Sequence, residues 1–175
     1  MTHLVKKTYL RSMKRRIKKV AVLGSGVMGS RIACHFANVG LEVILMDIVP
    51  KEANDKEKAK NLSIEDNAVR NRIVDESLTF ALTSNPSPIY KKTFAKKIST
   101  GNFTDDLDKI KDCDWIIEVI IENLDIKKSL FEKVEKVRTP GTLITSNTSG
   151  IPIGLMTYDR SEDFKKHFCG THFFN

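Results

Sequence analysis

Short runs of apolar residues alternate along this chain with stretches whose apolar positions recur three or four residues apart. Lys19–Leu23 (KVAVL), Glu42–Met46 (EVILM), Trp115–Ile121 (WIIEVII) and Thr142–Thr145 (TLIT) have the continuous apolar character of strands covered on both faces. Phe168–Phe174 is expected to hold a last strand, and Phe94–Thr100 a short one in KKIST. Val27, Ile32, Ala33, Phe36 and Ala37 share one helical face, and Asn38-Val39-Gly40 ends that helix. A second amphipathic helix runs over Asp125–Val137, with Ile126, Leu130, Phe131, Val134 and Val137 on one side. A short helix is expected over Asp105–Lys111 and a longer one over Ile64–Leu82.

The first strand, helix and second strand fit into about 30 residues, the size of a βαβ unit with a right-handed crossover and parallel strands. Repetition of that alternation predicts an α/β, Rossmann-type, doubly wound and mostly parallel sheet. Residues 50–96 are too many for a minimal crossover, so a helical excursion projecting from the domain after the second strand is expected.

The length, 175 residues, suits one domain, and 41% apolar residues suffice for its core. The net charge of +7 is concentrated at the start: residues 1–19 hold eight Lys and Arg and no acid, and the rest of the chain carries −1. The expectation is a disordered basic leader over residues 1–17 and one domain over residues 18–175, with no nucleic-acid partner. No apolar run reaches the roughly 18 residues of a membrane span, and the leader lacks the apolar core of a secretory signal. Cys34, Cys113 and Cys169 are odd in number and widely spaced, which argues against a zinc site or a disulfide framework and suits a reducing cytoplasm. All three are expected to be small buried groups, and no metal site is expected.

The candidate chemistry begins at Gly24-Ser25-Gly26-Val27-Met28-Gly29. A lone GxGxxG is weak evidence, but this one lies between a strand and a helix, the setting the motif requires. Gly24 permits the tight turn, Gly26 lets backbone approach a pyrophosphate, and Gly29 lets helix and strand pack closely. The helix N-terminus then presents N–H groups and the positive end of its dipole to phosphates. Asp47 ends the second strand, 18 residues after Gly29, where a carboxylate accepts from adenosine ribose hydroxyls and repels a 2′-phosphate. Ile48 and Val49 follow it with no Arg or Lys, so NAD is the expected cofactor rather than NADP.

Two later segments narrow the reading: Asp114-Trp115-Ile116-Ile117-Glu118-Val119-Ile120-Ile121-Glu122-Asn123-Leu124 with Lys127 and Ser146-Asn147-Thr148-Ser149, and then Gly170-Thr171-His172-Phe173-Phe174-Asn175. Together with VAVLGSGVMG they strongly resemble the NAD-binding domain of 3-hydroxyacyl-CoA dehydrogenases, over about residues 18–175. Within that family the chain is most similar to the dehydrogenase part of bacterial multifunctional β-oxidation proteins. The resemblance implies NAD as cofactor and a 3-hydroxyacyl-CoA or 3-ketoacyl-CoA as substrate. It implies that Gly24–Gly29 and Asp47 hold the dinucleotide, and that Glu122 and Lys127 line its nicotinamide half. It further implies that Ser149 contacts the substrate oxygen, that His172 is the catalytic histidine, and that Asn175 lies close to the nicotinamide. The residue types suit such chemistry: a histidine can take and return a proton near neutrality, and a serine hydroxyl can orient the same oxygen.

Other roles stay open on the sequence. Glu118 is either a strand-end charge or a functional acid, and for Ser146 and Asn147 satisfying backbone groups after a strand is the alternative to a role in the site. In the family, the catalytic histidine is followed by a strand carrying its glutamate partner and by a helical domain that closes over the acyl-CoA and forms the dimer. None of this is encoded before Asn175, so the chain is expected to be a fragment of a longer dimeric or multifunctional enzyme, binding NAD weakly and turning over little substrate alone. The alternatives are a non-catalytic NAD-binding module, an oxidoreductase of short hydroxy acids, and a nucleic-acid binder acting through the basic arm.

Overall fold

A computed structural model describes residues 15–174 of the chain. Six parallel strands form one sheet in the order β3-β2-β1-β4-β5-β6. They are β1 (Lys19–Leu23), β2 (Glu42–Asp47), β3 (Ile98–Asn102), β4 (Trp115–Glu118), β5 (Leu143–Ser146) and β6 (Phe168–Gly170). The expected doubly wound architecture is therefore present, with all six strands parallel. The order reverses between β1 and β4, so the loops after these two strands diverge and leave a crevice at their carboxyl ends.

The central strands carry apolar residues continuously because each contributes to two cores. Ala21 and Leu23 of β1, Ile44 and Met46 of β2, Ile116 of β4 and Ile144 of β5 point to one face. There α5 (Leu124–Val137) covers them with Leu130, Phe131 and Val134. Val20 and Val22, Val43 and Leu45, and Ile117 point to the other face. They meet Ile32, Ala33, Phe36 and Ala37 of α1 (Val27–Asn38). Both helical stripes predicted from spacing pack, except for their first members: Val27 and Ile126 are exposed, because each lies in the first turn, beyond the edge of the sheet core.

Several expectations are corrected. The helix expected over 64–82 is two, α3 (Asn67–Arg70) and α4 (Arg72–Thr83), after the short α2 (Asp55–Lys58). The break falls at Asn71, with φ −96° and ψ 1°, whose side-chain oxygen accepts from Asn102 Nδ2 at 2.9 Å. Nor does this segment project. Val74 and Ala81 of α4 are buried, Val74 within the second core, because an amphipathic helix this long lowers its free energy by lying on α1 and the sheet edge. The short helix expected over 105–111 is a 3₁₀ helix at Leu107–Asp112, and another 3₁₀ segment, Lys92–Lys97, precedes β3.

The fourth strand stops at Glu118 instead of running to Ile121, because the Glu118 carboxylate accepts the Ile120 N–H at 2.7 Å and turns the chain out of the ladder. The last strand is limited to Phe168–Gly170, at the sheet edge. That edge leaves Cys169 exposed, against the expectation of three buried thiols. Cys34 and Cys113 are buried, and burial pushes both thiols up to about 11. Two short helices between β5 and β6 had no clear signal in the sequence, α6 (Ile153–Thr157) and α7 (Glu162–Lys166). Their Met156 and Phe164 complete the first core.

The leader expected over residues 1–17 falls outside the described residues up to residue 14. Of the rest, Arg15 donates to the Gly141 carbonyl at 2.8 Å and Ile17 packs against the second core. Among the described residues no helix is long and apolar enough to cross a membrane.

Phe131 has no exposed surface and meets Phe164 and Phe168 edge-on, with ring centroids 5.7 and 5.1 Å away. Phe131→Ala should cost about 3–5 kcal/mol in urea unfolding, because three elements close around that ring and cannot collapse into the space it leaves.

Candidate active site

The turn after β1 is built from backbone-to-backbone contact. Gly24 has φ +109°, and a Cβ there would lie 2.6 Å from the Val119 carbonyl oxygen. A Cβ at Gly29 would lie 1.8 Å from the Gly24 carbonyl oxygen, inside the contact between α1 and the turn. Gly26 differs: among the described residues nothing stands within 4 Å of the place its Cβ would take. No side chain caps α1 and no acid occupies its first turn, so its positive dipole end remains available beside this open space. Exposed backbone, a helix N-terminus and free volume at Gly26 together fit the pyrophosphate of a dinucleotide.

Gly24 and Gly26 lie on the wall of a cleft of about 740 Å³. Asp47 lines it at the end of β2, while Ile48, Phe103, Ile126 and Leu130 supply apolar surface suited to a flat heterocycle. Ser25 faces inward. It is completely buried, and its N–H and its hydroxyl both donate to Asp47 Oδ2 at 2.6 Å, while Ile48 N–H donates to Oδ1 at 2.7 Å. The loop therefore holds the carboxylate that the sequence paired with it. Val27 is exposed beside the turn. Met28 turns away from the large cleft into a smaller one of about 160 Å³, lined also by Arg31, His35 and Phe173.

A second group of side chains converges where β4, β5 and β6 end. Asn123 caps α5 by accepting from Ile126 N–H at 3.1 Å, and one turn on Lys127 points back under the loop. Lys127 is 1% exposed, and its ammonium lies 2.6 Å from Glu118 Oε1 and 3.2 Å from Glu122 Oε2. Glu118, completely buried, also accepts from the Ser146 hydroxyl. Glu122 accepts from the Thr148 hydroxyl, from Ser149 N–H at 3.2 Å and from Gly150 N–H at 3.0 Å. Burial raises the Glu122 carboxyl, but these donors and the Lys127 charge outweigh it and hold the group at about 2.

Of the residues singled out in the sequence, Glu122 and Ser149 are in direct contact, and Ser149 is exposed. The segment after β6 that carries His172 is tied to the same loop: Thr171 N–H donates to the Ser146 carbonyl at 3.0 Å, and Phe173 N–H to Asn147 Oδ1 at 2.8 Å. The His172 ring is exposed and meets Phe174 edge-on at 4.7 Å. Asn175 and His3 lie outside the described residues. The hub role of Glu118 escaped the sequence reading. Its signal was present, an acid inside an otherwise apolar strand, but such an acid cannot be told from a strand-end charge until its buried partners are known.

Residues 19–175 match the family model described as "3-hydroxyacyl-CoA dehydrogenase, NAD binding domain". A Bacillus subtilis protein named a probable 3-hydroxyacyl-CoA dehydrogenase is 47% identical over 163 residues, which is 93% of this chain and 21% of the relative. A Deinococcus radiodurans protein of the same name is 44% identical over 160 residues, 91% of this chain and 42% of that one. The chain thus spans less than half the length of these relatives. Among solved structures, 3-hydroxybutyryl-CoA dehydrogenase from Escherichia coli is similar with a TM-score of 0.62 and 28% identity, over 91% of this chain and 30% of that one.

Three predictions rest on this geometry. Gly26→Ala should leave unfolding within about 1 kcal/mol of the parent yet weaken NADH binding at least about tenfold by calorimetry, because its methyl enters only the phosphate space. Gly29→Ala should instead destabilise the fold by roughly 1–3 kcal/mol or more, since its methyl meets backbone. Glu122 is held below its ordinary 4.5, so its contribution to stability is complete above that pH and fades as pH falls toward about 2. Chemical denaturation of the parent and of Glu122→Gln at stepped pH should show a constant difference near neutrality that shrinks through that window.

Proposed function

This chain belongs to the 3-hydroxyacyl-CoA dehydrogenase family as its NAD-binding domain, and on that premise we propose that it serves the interconversion of the C3 hydroxyl and keto groups of an acyl-CoA in fatty-acid β-oxidation. NAD, when bound, supplies the acceptor for the hydride that leaves C3. Around it the chain's own residues take the following parts. Gly24, Gly26, Val27, Met28 and Gly29 form the phosphate turn, with Ser25 holding Asp47 toward the adenosine ribose. Glu122, fixed by Lys127, borders the nicotinamide half, where Asn175 is also placed by this reading. Ser149 holds the substrate oxygen by its hydroxyl. His172 accepts the hydroxyl proton on a ring nitrogen and returns it in the reverse direction. A cytoplasmic location belongs to the same proposal.

One observation supports this reading most: the loop bearing Ser149 hydrogen-bonds both to Glu122 and to the segment after β6 that bears His172. The glycine turn adjoins the same corner, through Val119 packed on Gly24. A module that used the nucleotide only for structure would have no need of that convergence. Ser149 and His172 are also exposed there, as groups meeting a substrate must be.

NADH should bind the chain at least about tenfold more tightly than NADPH, because Asp47 repels a 2′-phosphate. Joined ahead of the segment that follows the matched region in the Deinococcus radiodurans relative, the chain should oxidise NADH in the presence of acetoacetyl-CoA. His172→Ala should then lower kcat by roughly 10²–10⁴ while NADH affinity stays unchanged. Full NADH binding without acetoacetyl-CoA-dependent oxidation would instead identify a non-catalytic module.

A further inference from the structure

Five side chains close a ring around the base of the loop that follows β5. Ser146 donates to Glu118, Glu118 pairs with Lys127 at 2.6 Å, and Lys127 pairs with Glu122 at 3.2 Å. Glu122 in turn accepts from Thr148, two residues beyond Ser146, which completes the circuit. Glu118, Lys127 and Ser146 have 1% exposure or less, so none of their contacts is replaceable by bulk water.

A buried ammonium flanked by two carboxylates leaves one excess negative charge, and each partner limits where the others can sit. Glu118 is the member with the most constraints. It receives Lys127 and the Ile120 N–H on Oε1 and the Ser146 hydroxyl on Oε2. It thereby joins the end of its own strand to α5 and to the root of the loop on β5. Glu122, by contrast, is 41% exposed; one of its oxygens accepts from the loop while Lys127 holds the other from beneath. Lys127 in turn is aimed by Glu118.

We infer that Glu118 is a positioning residue: through Lys127 and Ser146 it sets where Glu122 and the backbone of Thr148, Ser149 and Gly150 stand relative to the cofactor cleft. The inference rests on the proposed role of Ser149 and Glu122 for its functional meaning, but the ring itself is a property of the chain. Glu118 touches neither substrate nor cofactor in this scheme. It fixes the geometry of groups that do.

The test is residue-resolved amide hydrogen exchange by NMR on the 175-residue chain, with and without Glu118→Gln. Glutamine keeps the shape but removes the charge that aims Lys127 and presents an N–H₂ where an acceptor stood. Exchange at Ser149 and Gly150 should accelerate by about tenfold or more, while Val22 and Ile117 in the sheet centre keep their rates. Uniform acceleration across the sheet would overturn the inference, making Glu118 a structural charge only, and unchanged rates at Ser149 and Gly150 would overturn it as well. Should Glu118→Gln fail to fold, Ser146→Ala opens the ring at its other link with all charges in place. It should release the same two amides by several-fold, and unchanged rates there would equally overturn the inference. The readout is the loop's own protection, so this result stands apart from whether acetoacetyl-CoA is turned over.

Discussion

Helix α1 can sit where it does only because the chain has no side chains at Gly24 and Gly29. The Gly29 Cβ position overlaps the Gly24 carbonyl at 1.8 Å, and that of Gly24 overlaps the Val119 carbonyl at 2.6 Å. Three backbones therefore meet at one point: the end of β1, the first turn of α1 and the chain leaving β4. Interiors are close-packed and do not yield to an added methyl group when the neighbour is backbone. The divergence of the loops after β1 and β4 and the direction of the α1 dipole both follow from that contact.

The same point determines what lies beyond it. Val119 is held against the turn while the Glu118 carboxylate takes the Ile120 N–H, so the chain leaves the sheet after Glu118 and brings Glu122, with Lys127 buried beneath it, to the loop that follows β5. Burying an ammonium and a carboxylate costs several kcal/mol per ion before pairing is counted. Lys127 tolerates it because two carboxylates approach its Nζ, at 2.6 and 3.2 Å. The return on that cost is orientation. A loop of small polar residues, Ser146–Ser149, is tied down on both sides, by the acids on one and by Thr171 and Phe173 of the segment after β6 on the other.

How the site could be read in advance depended on the range of each interaction. Gly24, Gly26, Gly29 and Asp47 were legible because a strand, a tight turn and a helix within one βαβ unit leave few options for glycine spacing and for an acid at the next strand's end. The roles proposed for Ser149 and His172 rest on resemblance alone, since a serine after a strand and a histidine near another carry no signature of their own. Ser25 was counted with the turn, yet its hydroxyl on Asp47 could not be foreseen, because the bond spans 22 residues and depends on two strands lying side by side. Cys169 was misjudged for the opposite reason: a small apolar residue in a strand is buried only where another layer covers it, and β6 is at the edge.

By itself the sequence determined the alternation of strands and helices, the two apolar faces of the central strands and the glycine turn with its acidic partner. These follow from periodicity and from local steric limits, which act over a few residues. Only the tertiary structure decided that α4 lies on the sheet instead of projecting, that β4 ends at Glu118, and that Glu118, Lys127, Glu122, Ser146 and Thr148 form one ring. Those outcomes turn on burial and on partners as far as 28 residues apart, and a charge has no preferred partner until the assembled sheet removes water from around it.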